Sequence, residues 1–214
     1  MAEPKYICIE GVIGAGKTSL AQLLAEHLGA KLILEKPEEN PFLEDFYRDP
    51  RRFAFQTQLF FLLSRYRQQQ ESFQYDLFHE YTVSDYLFAK DRIFAHLNLD
   101  DRELILYDHV ASLLERNIPK PDLVVYLQSS PERLMANIRK RGRSYERNMS
   151  EEYIRSLNEA YNRFFFHYNE APLLVINSTL IDFVHNEQHL QEVIRQIMRS
   201  HSGIEYFSPA ESQF

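Results

Sequence analysis

Apolar positions along this chain follow two rhythms that take turns. Short aliphatic runs occur at Lys5–Glu10 (KYICIE), Lys31–Leu34 (KLIL), His79–Ser84 (HEYTVS), Asp122–Leu127 (DLVVYL) and Leu173–Ile176 (LLVI). Runs of this length, rich in β-branched residues, predict strands buried on both faces, although the third begins with polar residues. The segments between them carry helical spacing. Leu20, Leu23, Leu24 and Leu28 share one face of Thr18–Leu28, and Gly29 supplies a C-terminal stop. Arg51–Gln70, Asp101–Asn117 and Glu187–Met198 read as further helices. Pro131 opens another, with Ser130 as its N-cap and proline at the first helical position. Strands alternating with helices predict an α/β fold, a parallel sheet with helices on both faces. There is no internal repeat, so residues 1–200 read as a single domain and 201–214 as a polar C-terminal tail.

Composition narrows the classes. The chain has 24 basic and 31 acidic residues, a net charge of -7, which argues against a nucleic-acid backbone or an anionic membrane surface as the main partner. No apolar run approaches the roughly 18 residues of a membrane helix. Only four residues precede the first strand, too few for a signal peptide. A lone Cys8 excludes an intramolecular disulfide and a multi-cysteine zinc site, and fits a reducing compartment. These features predict a soluble cytoplasmic protein. Cys8 reads as a strand residue, and the eight histidines show no metal-ligand spacing.

Glycine is scarce, yet three of the six stand together at Gly11, Gly14 and Gly16. Gly11-Val12-Ile13-Gly14-Ala15-Gly16-Lys17-Thr18 matches G-x-x-x-x-G-K-[ST], directly after a strand and directly before a helix. Such a loop turns backbone N–H groups toward phosphate oxygens, and the helix that follows directs its positive end at the same anion. Lys17 is placed to reach the β- and γ-phosphates, and Thr18 to put a hydroxyl on Mg²⁺. The guanine-reading string Asn-Lys-x-Asp is absent. Leu104-Ile105-Leu106-Tyr107-Asp108 imitates a motor-ATPase strand but lies within a helical pattern.

Other residues outline an acceptor for the phosphate. Glu35 follows the second strand, and ligands collect at the carboxyl ends of parallel strands, so a carboxylate there is placed to take the proton of an attacking hydroxyl. The acidic surroundings (Glu38, Glu39, Glu44, Asp45) equally suit a solvated charge. Gln58 and Arg65 are seven residues apart, about 700°, and share a helix face to within about 20°. An amide and a guanidinium fork suit the edge of a nucleobase, with Phe61 and Leu62 as an apolar wall. Arg139–Arg147 concentrates positive charge around Gly142, so Arg141 and Arg143 read as a lid over a transferring phosphoryl group.

Together these motifs resemble the deoxyribonucleoside kinase family, closest to the bacterial deoxyadenosine/deoxyguanosine kinases, from about Lys5 to Val184. The resemblance implies a P-loop kinase fold with a five-stranded parallel sheet, an Arg-rich lid and a homodimer. It implies transfer of the γ-phosphate of ATP or another nucleoside triphosphate to a deoxynucleoside 5′-hydroxyl in nucleotide salvage, with Mg²⁺. In that frame Glu35 is the general base, with Lys17, Arg141 and Arg143 on the phosphates. Gly11, Gly14, Ala15, Gly16, Lys17, Thr18, Asp182 and Phe183 hold the donor. Tyr47 and Glu146 hold the sugar 3′-hydroxyl, and Gln58 and Arg65 serve the base, with Gln56 a competitor for Gln58. The family usually carries Asp/Glu-Arg-Ser after the third strand, whereas this chain reads Ser84-Asp85-Tyr86. Asp85 stands in for the acid, near substrate and Mg²⁺, and Lys90 or Arg92 for the absent arginine. A pyrimidine deoxynucleoside kinase, a thymidylate-type monophosphate kinase and a nucleotide-sensing module are the alternatives.

Overall fold

Complete burial of the first aliphatic run sets the architecture. In the computed structural model, which describes residues 3–73, 78–179 and 181–208, β1 (Tyr6–Gly11) is buried at every position. It pairs in parallel with β3 (Thr82–Ser84) on one side and β4 (Leu123–Gln128) on the other, so that Ile7 lies between Val83 and Leu123. β2 (Lys31–Ile33) forms one edge, and β5 (Leu173–Asn177) continues from β4. The order is β2-β3-β1-β4-β5-β6, all parallel. The chain moves to one side of β1 first and crosses to the other at β4, which puts the switch-point crevice beyond the carboxyl end of β1.

The sheet has six strands, one more than the resemblance implies. β6 (Ile204–Phe207) falls in the segment read as tail, and residues 209–214 of that segment lie outside the described region. β6 is an edge strand with alternating exposure, Tyr206 being 71% exposed, so it lacks the continuous apolar run that marks a central strand.

Eight helices flank the sheet among the described residues: α1 (Lys17–Leu28), α2 (Leu43–Arg48), α3 (Pro50–Phe73), α4 (Lys90–Asn98), α5 (Asp101–Glu115), α6 (Pro131–Arg141), α7 (Glu151–Phe166) and α8 (Glu187–Ile197). Ser130 caps α6, its Oγ accepting from the Arg133 N–H at 3.3 Å, and Gly142 ends that helix. Leu104–Asp108 is helical, with Tyr107 turned inward. The main core surrounds the sheet, including Ile9, Val124, Leu134 and Leu157. A smaller one joins α3, α4 and α5 through Leu62, Ala95, Tyr107 and Ala111. Leu62 is thereby drawn away from the wall expected beside Gln58, because one residue is a turn of 100°. No helix among the described residues is long and apolar enough to cross a membrane.

Candidate active site

The phosphate loop is held from both sides. Gly14 has φ +88, and a Cβ there would lie 2.7 Å from the Leu134 carbonyl oxygen of α6. Gly16, at φ +95, would bring a Cβ to 2.9 Å from the Phe183 ring. Left-handed backbone and close neighbours together restrict these positions to glycine. The Asn137 amide donates to the Gly14 carbonyl at 2.8 Å, tying α6 to the loop. No side chain caps α1, whose first N–H groups are left facing the crevice. Lys17 folds back over the loop, its Nζ donating to the Gly11 and Val12 carbonyls at 2.7 and 3.2 Å. Burial pushes its ammonium down to about 8, against the opposing pull of Glu10.

Asp85, just past β3, joins three elements. One carboxylate oxygen accepts from Thr18 Oγ1 at 2.6 Å and the other from the Glu35 N–H at 2.7 Å. A hydroxyl and a carboxylate beside the phosphate loop are hard oxygen donors. They fit Mg²⁺, which takes few protein oxygens and completes its shell with phosphates and water. Thr18 and Asp85 bring two side chains to that place, which fits a metal whose remaining positions are filled by substrate and water.

Glu35 is clamped between two cations. Its Oε1 accepts from Arg65 through Nε, at 2.8 Å, and through Nη2, and its Oε2 accepts from Lys90 Nζ at 2.8 Å. Arg65 extends its remaining nitrogen to Asp91, whose side chain is 2% exposed. Desolvation alone would raise the Glu35 carboxyl, but the Arg65 guanidinium and the Lys90 ammonium outweigh it and hold the group well below the usual carboxylate range.

Around this clamp lies a cavity of about 250 Å³, lined by Lys17, Thr18, Glu35, Tyr47, Gln58, Phe61, Arg65, Asp85, Lys90, Arg141, Arg143, Glu146 and Tyr161 among others. Gln58 is 2% exposed, and its amide meets no hydrogen-bond partner among the described residues. Gln56 points outward, in line with the spacing to Arg65 that favours Gln58 over it. Glu146 is buried and accepts from Arg141 at 2.5 and 3.2 Å, while Arg143 donates to the Tyr145 hydroxyl at 2.7 Å. Desolvation pushes the Tyr47 phenol well above its ordinary value.

A second hollow, about 620 Å³, lies across the loop and is lined by Gly14, Ala15, Gly16, Lys140, Arg141, Asp182 and Phe183 among others. Gly14 and Arg141 line both, so the two hollows adjoin. The Asp182 carboxylate accepts from the Val184 and His185 N–H groups at 3.1 and 2.9 Å and so shapes its own loop. Desolvation would raise its carboxyl, but these bonds and the His185 side chain lower it.

Three residues went unnoticed in the sequence. Glu10, fully buried, accepts from the N–H groups of Gly11 and Leu87, each at 2.8 Å, and from the Tyr161 hydroxyl at 3.2 Å. An acid closing an aliphatic strand just before the phosphate loop was the available signal. Asp91 and Tyr161 had none, because each acts only through a partner distant in sequence. Of the two candidates to replace the absent arginine, Lys90 faces the cavity, whereas Arg92 donates outward to Glu115 at 2.6 Å.

The likeness to known proteins is consistent across most of the chain. The family profile described as "Deoxynucleoside kinase" matches residues 7–201. The deoxyguanosine kinase of Bacillus subtilis (strain 168) is 32% identical, with 90% of this chain and 95% of that protein covered. The deoxyadenosine kinase of Dictyostelium discoideum is 36% identical, covering 89% of this chain and 78% of that one. Among solved structures, deoxyadenosine kinase from M. mycoides with bound dATP superposes with a TM-score of 0.78 at 25% identity, over 90% of this chain and 98% of that one. With the phosphate loop, strands β2 to β5 and both hollows inside the matched span, this chain belongs to the deoxynucleoside kinase family.

Proposed function

We propose that the protein transfers the γ-phosphate of ATP, or another nucleoside triphosphate, to the 5′-hydroxyl of a purine deoxynucleoside, deoxyadenosine or deoxyguanosine, in nucleotide salvage. The observation that carries this reading is one cavity lined by Lys17 and Thr18 of the phosphate loop, by Glu35, and by the unpartnered amide of buried Gln58. The purine preference draws on the relatives, named deoxyguanosine and deoxyadenosine kinases. A neutral acceptor is favoured over a monophosphate by charge. Arg65, Lys90 and Arg141 each already carry a carboxylate partner, leaving little cationic surplus for an acceptor phosphate.

In this reading the second hollow takes the donor's nucleoside, with Asp182 and Phe183 on its wall, and the loop N–H groups and Lys17 hold its phosphates. Thr18 and Asp85 would hold Mg²⁺, which when bound would supply neutralisation of charge on the transferring oxygens. Gln58 reads the base by a bidentate amide contact. Arg65 braces the base end through its bonds to Glu35 and Asp91, and Tyr47 and Glu146 bind the sugar 3′-hydroxyl. Glu35 accepts the 5′-hydroxyl hydrogen bond and aims its oxygen. Its low basicity suits a loose transition state, in which the hydroxyl proton passes to Glu35 late, as the new O–P bond forms and the bond to the β-phosphate oxygen breaks. Arg141 and Arg143 cover the phosphoryl group as charge spreads over it. A homodimer and a cytoplasmic setting complete the proposal, the latter supported by the free, buried Cys8 thiol.

The test is a panel of ATP with each deoxynucleoside and each monophosphate. Deoxyadenosine or deoxyguanosine should be phosphorylated first. Glu35→Gln should lower kcat by about 10²- to 10⁴-fold while nucleoside binding survives. Preference for a monophosphate, or nucleotide binding with no transfer, defeats the proposal.

A further inference from the structure

Lys90 opens α4 with its side chain only 3% exposed, yet it lines the cavity beside Lys17. Tyr86 follows Asp85, so no cation comes from the end of β3, and Lys90 supplies one from the next helix. The ion pairs of the clamp join two cations, Arg65 and Lys90, to two carboxylates, Glu35 and Asp91, with Lys17 and Asp85 alongside in the same cavity. Arg65 is shared between both carboxylates and neutralises only one. Without Lys90 these ion pairs would lose one cation, leaving Glu35 and Asp91 to share Arg65. The geometry adds a second function. Arg65 fixes Oε1 of Glu35 and Lys90 fixes Oε2, so the carboxylate is held against rotation from both ends.

From this we infer that Lys90 is the positioning residue for Glu35: it pins the second carboxylate oxygen, so that the acceptor hydroxyl meets a fixed, ionised partner. The inference rests on the proposed kinase reading. It concerns a lysine acting through Glu35, and it separates Lys90 from Arg92, whose side chain is 38% exposed and pairs with Glu115.

The experiment is a double-mutant cycle in steady-state turnover, using the deoxynucleoside that the panel identifies. Lys90→Met should lower kcat about 100-fold while the nucleoside KM stays within about threefold, because orientation rather than binding is lost. Lys90→Arg should recover most of that loss. In a Glu35→Gln background Lys90→Met should cost less than about threefold further, since its effect passes through the carboxylate. Arg92→Ala should leave kcat unchanged. Lys90→Gln, which retains an uncharged donor one bond nearer the backbone, is expected to lose about tenfold and carries the cycle if the methionine variant does not fold. Additive losses in the cycle, or a folded Lys90→Gln with full kcat, overturn the assignment. A wild-type protein that phosphorylates no deoxynucleoside overturns both readings, whereas an active wild type with additive variants overturns only this one.

Discussion

The two sides of the crevice are built in opposite ways. The proposed donor side centres on eight consecutive residues, Gly11 to Thr18, whose shape comes from backbone. Two left-handed glycines are wedged against α6 and Phe183, and carbonyls receive Lys17. The acceptor side draws Glu35, Gln58, Arg65, Asp85, Lys90 and Glu146 from strand ends, two helices and a turn, and it is shaped by buried charge. A backbone site fails when one residue cannot adopt its angle. A charge-built site fails when one partner leaves, because the remaining ion is then desolvated without compensation. The donor side therefore depends on local conformation and the acceptor side on a balance between distant segments.

That contrast can be broken at three points. The largest effect belongs to Lys17→Met. It should reduce kcat/KM about 10³-fold by removing one preorganised charge, while calorimetric binding of the deoxynucleoside persists. A parallel loss of nucleoside binding would show that the two sides are not separable. Next is Asp91→Asn, outside the cavity lining. By leaving Arg65 with one carboxylate in a buried place, it should cost about 3 kcal/mol in urea unfolding, and a neutral result would remove charge balance as the organising force. The smallest is Gln58→Leu, at a side chain that carries no charge and meets no hydrogen-bond partner among the described residues. Its expected signature is a rise of about 30-fold in nucleoside KM, about 2 kcal/mol, with stability unchanged. A stability loss there would place Gln58 in the scaffold instead.

Legibility followed the same division. β1, β4 and β5, α1 with its Gly29 stop, and α6 with its Ser130 cap and Gly142 end could be read because each depends on neighbours within a few residues. α7 was passed over although Ile154, Leu157, Tyr161 and Phe165 repeat at helical spacing. Within its Phe164–Phe166 triplet, Phe165 packs into the core and Phe166 is 72% exposed, a distinction made only by the helix's orientation. β6 was invisible because half of an edge strand faces solvent. Seven-residue spacing to Arg65 favours Gln58 over Gln56 in the sequence, and α3 turns Gln58 inward and Gln56 outward.

Sequence by itself determined the parallel α/β order and the phosphate loop, since burial periodicity, glycine angles and helix caps are encoded within short windows. It also brought forward Glu35, Asp85 and the arginines near Gly142 as single charges. Tertiary structure alone decided their pairings: Glu35 with both Arg65 and Lys90, Arg65 with Asp91, Arg141 with Glu146, and Lys90 rather than Arg92 inside. The physical reason is range. Backbone conformation answers to adjacent residues, whereas a buried ion answers to whichever opposite charge the packed core brings within a few ångströms.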